Sequence, residues 1–383
     1  MFVIFIAHTP RDFWALWIPA RFGFSDATET FVFCSGMASA IAFGSVFDKR
    51  GWLMGAARIA HRIWQVYWAH IGLFFAVLLL VTSFDQAGVF VSESWNRSYV
   101  GALNLKHFYT KTPDLIVGLL TLTYVPNYFD ILPMYLVILA LIPLMMALSR
   151  VSPWAVFAAV AGIWLISNLK IYNFPAEPWS SRKWFFNPLG WQLVFFTGFA
   201  FMRGWIKPPP VNAKLVCLAI AIILISLPFA YFRFYNARPD WLFYSAEWSP
   251  WLKEQRAVLK PFIGKSQFGI FRYIHFLATA YLAWIAVGEM GSRIKNWGAF
   301  QFVVDTIRKV GQQSLAVFIS SLVIAQFVGM LFRVYGNDWL NALGGNLFGF
   351  AALIAVAFIA SWFKSNPWRK TATPMPKSNG STP

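Results

Sequence analysis

The stretch SDATETFVFCSGMASAIAFGSVF, residues 25–47, decides the fold class. A polar threshold leads straight into an apolar run of the length a helix needs to cross a hydrocarbon core, about 20 residues. Asp26-Ala27-Thr28-Glu29 fits a capping box, in which an N-cap oxygen serves the first turn and a Glu at N3 reaches back to the cap's own amide. Capping needs only local backbone groups. Two carboxylates at a membrane threshold also suit a reaction site at that face, and the stretch by itself leaves both readings open.

The remaining composition points the same way. Soluble domains carry about 25% charged residues. This 383-residue chain is 12% charged and 58% hydrophobic, with a mean hydropathy of +0.56, which assigns it to the polytopic membrane class. Its 20 Trp and 40 Phe suit helices anchored at both interfaces. The net charge of +17 is spread over short loops between apolar runs, so it forms no single basic patch for nucleic acid. Cys34 and Cys217 both lie in apolar runs, which argues against a disulfide framework. His8, His61, His70, His107 and His275 show no close zinc-ligand spacing, so no metal site is expected.

Nine apolar segments are long enough to count as spans: 27–47, 64–83, 131–149, 153–170, 189–206, 214–234, 271–290, 313–334 and 345–363. MFVIFIAH at the start reads as the end of a tenth, shortened helix, since no basic region precedes it and no small-residue cleavage site follows. The expected fold is therefore all-α, a polytopic inner-membrane bundle of about ten transmembrane helices with the first one truncated. Residues 1–363 form one integral-membrane domain and 364–383 a cytoplasmic tail, whose TATPMPKSNGSTP is expected to be disordered. Lys49, Arg50, Arg58 and Arg62, then Arg150, Arg203 and Lys207, fall in one alternate set of loops, while 84–129 and 236–270 carry mixed signs. That bias places the basic loops and both termini in the cytoplasm. Within 84–129, LIVGLLTLTYV (115–125) is half a span and reads as interfacial or re-entrant. No internal repeat is evident, which weakens an inverted-repeat transporter reading.

Ionisable and polar residues at membrane depth mark function by default. His8 closes the first helix, where it either stabilises the helix dipole or serves as a general base. Arg58 and Arg62 stand four apart on one helical face, as membrane anchors or as a clamp for phosphates. His70 lies about 12 Å deeper along the same helix. Asp130 reads first as an N-cap of the span that follows, and His275, one turn into its helix, as a partner for a neighbouring group. Glu177, Asn187 and Gln192 flank the sixth span on its outer side and are candidates for sugar contacts.

Six segments in order carry a family resemblance: GFSDATETFVFCSGMASAIAFG, RIWQVYWAHI, FDILPMYLVILALIP, FNPLGWQLVFFTG, FRYIHFLATAYLAW and GQQSLAVF. Together they resemble the OpgC family, multi-pass inner-membrane proteins named for succinyl modification of osmoregulated periplasmic glucans and related to the type-3 membrane acyltransferases that O-acylate sugars. The resemblance implies an acyltransferase with no tightly bound cofactor, using acyl-CoA (succinyl-CoA) as donor substrate and a periplasmic glucan as acceptor. Its expected partners are these two and the lipid bilayer, with no nucleic acid. His8 matches the family's His at the end of the first helix. An Arg of the wider group, eleven positions earlier, would fall before Met1. Arg58 and Arg62 match a basic segment thought to meet the CoA-type donor.

The resulting expectation makes His8 the base, with Asp26 or Glu29 orienting it. Arg58 and Arg62 hold donor phosphates, and His70, Asp130, Gln192 and His275 contact substrate. A cytoplasmic donor and an outer His8 require a thioester arm to reach through the bundle. The alternative is a transporter or exporter of a glycan or small anion, its buried His and Arg lining the path.

Overall fold

The computed structural model describes residues 1–88, 99–237, 239, 244–288, 291–295 and 298–368. The expected disordered tail after Trp368 lies outside the described residues, as do 89–98 within the first long outer segment and 240–243 within the second. Among the described residues there is no strand beyond one isolated bridge between Pro175 and Lys183.

The principal helices are α1 (Phe2–His8), α2 (Ala27–Ser39), α3 (Ser45–Gln86), α4 (Ile131–Leu148), α5 (Pro153–Asn168), α6 (Pro188–Met202), α7 (Ala213–Ala230), α8 (Ile270–Val287), α9 (Ser314–Tyr335) and α10 (Trp339–Lys364). The expected segment 27–47 runs through α2 and the turn beyond it into the start of α3, and each of the others overlaps one of these helices. By length and apolarity, six helical runs among the described residues can cross a membrane: 27–86 and α4, α7, α8, α9 and α10. The 16-residue α5 and 15-residue α6 are apolar but shorter. The half-span expected at 115–125 is a nine-residue helix, Thr112–Leu120, followed by a turn.

The 60-residue run 27–86 needs a break, because a straight helix of that length would extend about 90 Å, three times a hydrocarbon core. Gly51 supplies it at φ +83°, a conformation that costs glycine little. In a continuous helix residues eight apart are about 12 Å apart. Here the Phe47 ring covers Gly55 so closely that a Cβ there would come within 2.5 Å of it. The chain therefore folds back at Gly51.

Close backbone contact fixes α2 on α6. A Cβ at Gly36 would stand 2.0 Å from the Phe195 carbonyl oxygen, and one at Gly198 would stand 2.2 Å from that of Phe33. Reciprocal glycines of this kind let membrane helices approach where no hydrophobic force draws them together. On the other side of the bundle α1 is seated by fully buried Phe5, whose ring fills the space beside Gly349 of α10, and by Pro10 against Gly329 of α9. These contacts fix where His8 emerges.

The helices alternate in direction, so their polar ends form two faces. At one, Asp26, Asn187 and Asp338 cap α2, α6 and α10. The opposite face holds Arg58, Arg62 and the Arg203–Asp48 ion pair, bidentate at 2.8 and 2.9 Å.

Candidate active site: two cavities meeting at the start of α2

Both halves of the expected capping box form. The Thr28 amide donates to Asp26 Oδ1 at 2.7 Å, and the Asp26 amide donates to Glu29 Oε2 at 2.7 Å. Each carboxylate has one oxygen left, and each uses it on a cation from across the bundle. Lys265 Nζ is 2.5 Å from Asp26 Oδ2, and Arg272 Nη1 is 2.6 Å from Glu29 Oε1. Glu29 is completely buried, so the pair is a desolvated one. Burial alone would push the Asp26 carboxyl up, but Lys265 and Arg272, with the amide of Thr28, hold it well below the usual carboxylate range.

Lys265 reaches this position because its loop is pinned. The indole of Trp191 donates to the Lys265 carbonyl at 2.9 Å, and Asn187 and Ser167 both donate to Gln267 Oε1, at 2.9 and 2.6 Å. Gly190 leaves the room this loop needs, since a Cβ would stand 2.3 Å from the Gln267 carbonyl.

The ionic cluster forms one wall of a cavity of about 860 Å³ that His8, Asp130, Arg182, Lys265 and Arg272 also line. His8 Nδ1 donates to the Ile4 carbonyl at 2.7 Å. A carbonyl can only accept, so the hydrogen of the neutral ring sits on Nδ1, and Nε2 is left with a free lone pair. The expected carboxylate on His8 is not found: Asp26 shares the cavity but bonds Lys265, Glu29 bonds Arg272, and a backbone oxygen orients the imidazole. Asp130 does not cap α4 through its side chain. Instead the Phe185 amide donates to it at 2.8 Å, and burial pushes its carboxyl up to about 6, against that amide and nearby Arg182.

A second cavity, of about 810 Å³, is lined by Asp26 and His275 at the capped face and by Arg58, His61 and Arg62 at the other. One stripe of α2 and the turn beyond it, Ala27, Thr30, Cys34, Ala38 and Ala42, forms its wall at three- and four-residue spacing. From Asp26 to Phe43, another wall residue, is about 25 Å along the axis, most of a hydrocarbon core. Arg62 Nη1 donates to Gln65 at 3.2 Å, and neither Arg58 nor Arg62 pairs with a carboxylate among the described residues. The two cavities share Val3, Ile4, Asp26 and Ala27 as a common wall.

At that wall Ser25 grips His275. The Ser25 amide, which can only donate, lies 3.3 Å from His275 Nδ1, so Nδ1 is the unprotonated nitrogen. Ser25 Oγ, 2.7 Å away, therefore donates its hydroxyl hydrogen to the same atom. Gly23 makes the grip possible, because a Cβ there would stand 2.3 Å from the ring.

The structure thus gathers His8, Asp26, Asp130, Arg58, Arg62 and His275 around two adjoining cavities, with Glu29 buried behind their common wall against Arg272. Gln192 is not among them. It is fully buried in α6, where its amide donates to the Val160 carbonyl at 2.8 Å and ties α6 to α5. His70 is fully buried in α3 against Phe129 and lines neither cavity. Glu177 holds Arg182 at 2.9 Å in the loop above. Sequence reasoning missed Lys265, Arg272 and Ser25. Arg272 could have been found as a cation near the start of an apolar span, three residues before His275.

Fold and site define a polytopic membrane protein built around a buried ionic centre, with cavities opening from it toward both faces. Residues 1–365 match the family model described as OpgC protein, and the chain belongs to the OpgC family. Membership supports an OpgC-type role in glucan modification and suggests a transferase. No curated protein and no solved structure matches the chain significantly.

Proposed function

We propose that the protein is an O-acyltransferase of the bacterial inner membrane that moves an acyl group, succinyl from succinyl-CoA, to a hydroxyl of a periplasmic glucan. The observation that carries this reading is the second cavity, which runs from Arg58 and Arg62 to Asp26. The basic loops sit at its arginine end, and the positive-inside bias makes that end cytoplasmic, where acyl-CoA is found. Guanidinium groups without carboxylate partners suit the donor's phosphates, and the small side chains of the α2 stripe leave room for a thioester arm. In the outer cavity His8 Nε2 accepts the proton of the attacking hydroxyl. Asp26 and Glu29 hold Lys265 and Arg272 at the same wall, where these cations attract the free carboxylate of a succinyl group or a developing oxyanion.

The test is to obstruct the path without touching either end. Ala38→Trp should abolish transfer to glucan while succinyl-CoA binding, measured with the purified protein, stays within a few-fold of wild type. Wild-type transfer by Ala38→Trp would rule out passage along the stripe. The same cavities would serve an exporter, and transfer by protein in detergent, where no gradient exists, separates the two readings.

A further inference from the structure

We propose that Ser25 is a nucleophile that carries the acyl group across the wall between the two cavities, with His275 as its base. This rests on the acyltransferase reading above. His8 lines only the outer cavity, Ser25 and His275 line only the one that reaches Arg58 and Arg62, and Asp26, the next residue after Ser25, belongs to both. A donor in one chamber and a base in the other leave a gap that one covalent relay closes.

The geometry at Ser25 is that of an activated hydroxyl. Its Oγ donates at 2.7 Å to Nδ1, the unprotonated nitrogen of His275, whose lone pair can take the hydroxyl proton. A serine held only to cap α2 would not need this partner, since Asp26 is the N-cap and supplies the capping oxygen. The ring is fixed on its far side by the Gly23 backbone, and His275 Nε2 is buried without a hydrogen-bond partner among the described residues. Ala27 begins α2 on both cavities, and first-turn amides of a helix have no intrahelical acceptor and carry positive partial charge suited to an oxyanion.

In the first half-reaction Ser25 Oγ attacks the thioester carbonyl as its proton moves to His275 Nδ1. The C–S bond breaks, and His275 returns the proton to the leaving thiolate, giving acyl-Ser25 and free CoA thiol. In the second, a glucan hydroxyl passes its proton to His8 and attacks the ester carbonyl. The bond to Ser25 Oγ breaks, solvent takes the proton from His8, and Ser25 is reprotonated from solvent through His275.

The experiment supplies the purified full chain with succinyl-CoA and no glucan. About one equivalent of CoA thiol should be released in a burst, and peptide mass analysis should find a hydroxylamine-labile succinyl ester on Ser25 that disappears when glucan is added. Ser25→Ala should lose the ester and at least a hundredfold of transfer, while Ser25→Cys should form a thioester at position 25, which shows that the site is folded. Transfer to glucan by Ser25→Ala within a few-fold of wild type overturns the relay. So does normal wild-type transfer with no adduct at Ser25 in quenched samples. If the wild type moves no acyl group at all, the acyltransferase reading itself fails, and the relay falls with it.

Discussion

Arg272 reaches from α8 to α2, its guanidinium 2.6 Å from Glu29 Oε1 and 3.9 Å from Asp26 Oδ2. Glu29 is completely buried, so its charge has no water to fall back on, and Arg272 is only 12% exposed. Removing one member of such a pair strands the other, at roughly 3–5 kcal/mol. Glu29→Gln and Arg272→Gln should each lower the thermal stability of the purified protein strongly. The double variant should recover part of the loss, because it leaves no unpaired charge. Additive losses in the double-mutant cycle would show that the pair is not coupled.

Asp26 separates cap from charge. Asn caps about as well as Asp, so Asp26→Asn should keep α2 and the protein level intact. It should nevertheless reduce acyl transfer, since Lys265 loses its counter-charge. Full activity in Asp26→Asn would reduce the residue to a helix cap.

His8 ends a helix that Phe5 and Pro10 seat, so truncating it should change stability little. General base catalysis contributes typically 10²–10⁴-fold, and both His8→Ala and His8→Gln should lose transfer in that range. Near-normal rates in either variant would remove His8 from the chemistry.

The reciprocal glycines predict a steric cost independent of function. Gly36→Ala and Gly198→Ala each push a methyl into a carbonyl oxygen and should destabilise by roughly 1–3 kcal/mol. Gly162→Ala, with nothing within 4 Å of its Cβ, is the control, and should be neutral or gain up to about 1 kcal/mol. Equal melting temperatures for all three would contradict the α2–α6 contact.

Asp130 predicts a pH dependence. Its folded pKa is raised from 3.8 to about 6, so between those values the folded protein retains a proton that the unfolded chain has released. Stability should therefore fall as pH rises from about 4 to about 6, by on the order of 2 kcal/mol, and stay level above it. Asp130→Asn keeps an oxygen for the Phe185 amide and should flatten the melting temperature across this window.

Much of this architecture is legible in the sequence because membrane helices declare themselves by apolarity over length. α2, α6 and α10 start where a capping side chain precedes an apolar run. The turn at Gly51 is less plain, because RGW between two helical stretches reads equally as a loop or as helix. At the site, the capping box follows from four consecutive residues, yet its cations do not: Lys265 and Arg272 lie 239 and 243 residues from the carboxylates they bond. Ser25 and His275 are 250 residues apart for the same reason. Gln192 looked like an outer polar group, but its position on α6 turns it into the core.

The common wall at Asp26 has one further consequence. A membrane that stores energy as a proton gradient cannot tolerate a wet bore from face to face, and two cavities that together reach both faces come close to being one. The His8 cavity is lined by Arg21, Arg182, Lys183, Lys265 and Arg272 against Asp26 and Asp130, with Glu29 and Glu177 paired behind Arg272 and Arg182, which leaves a small excess of positive charge that repels hydronium and metal cations. On the proposed reading, the charge that receives an anionic acyl group also insulates, and a chain that loses Lys265 and Arg272 together should make vesicles leak protons.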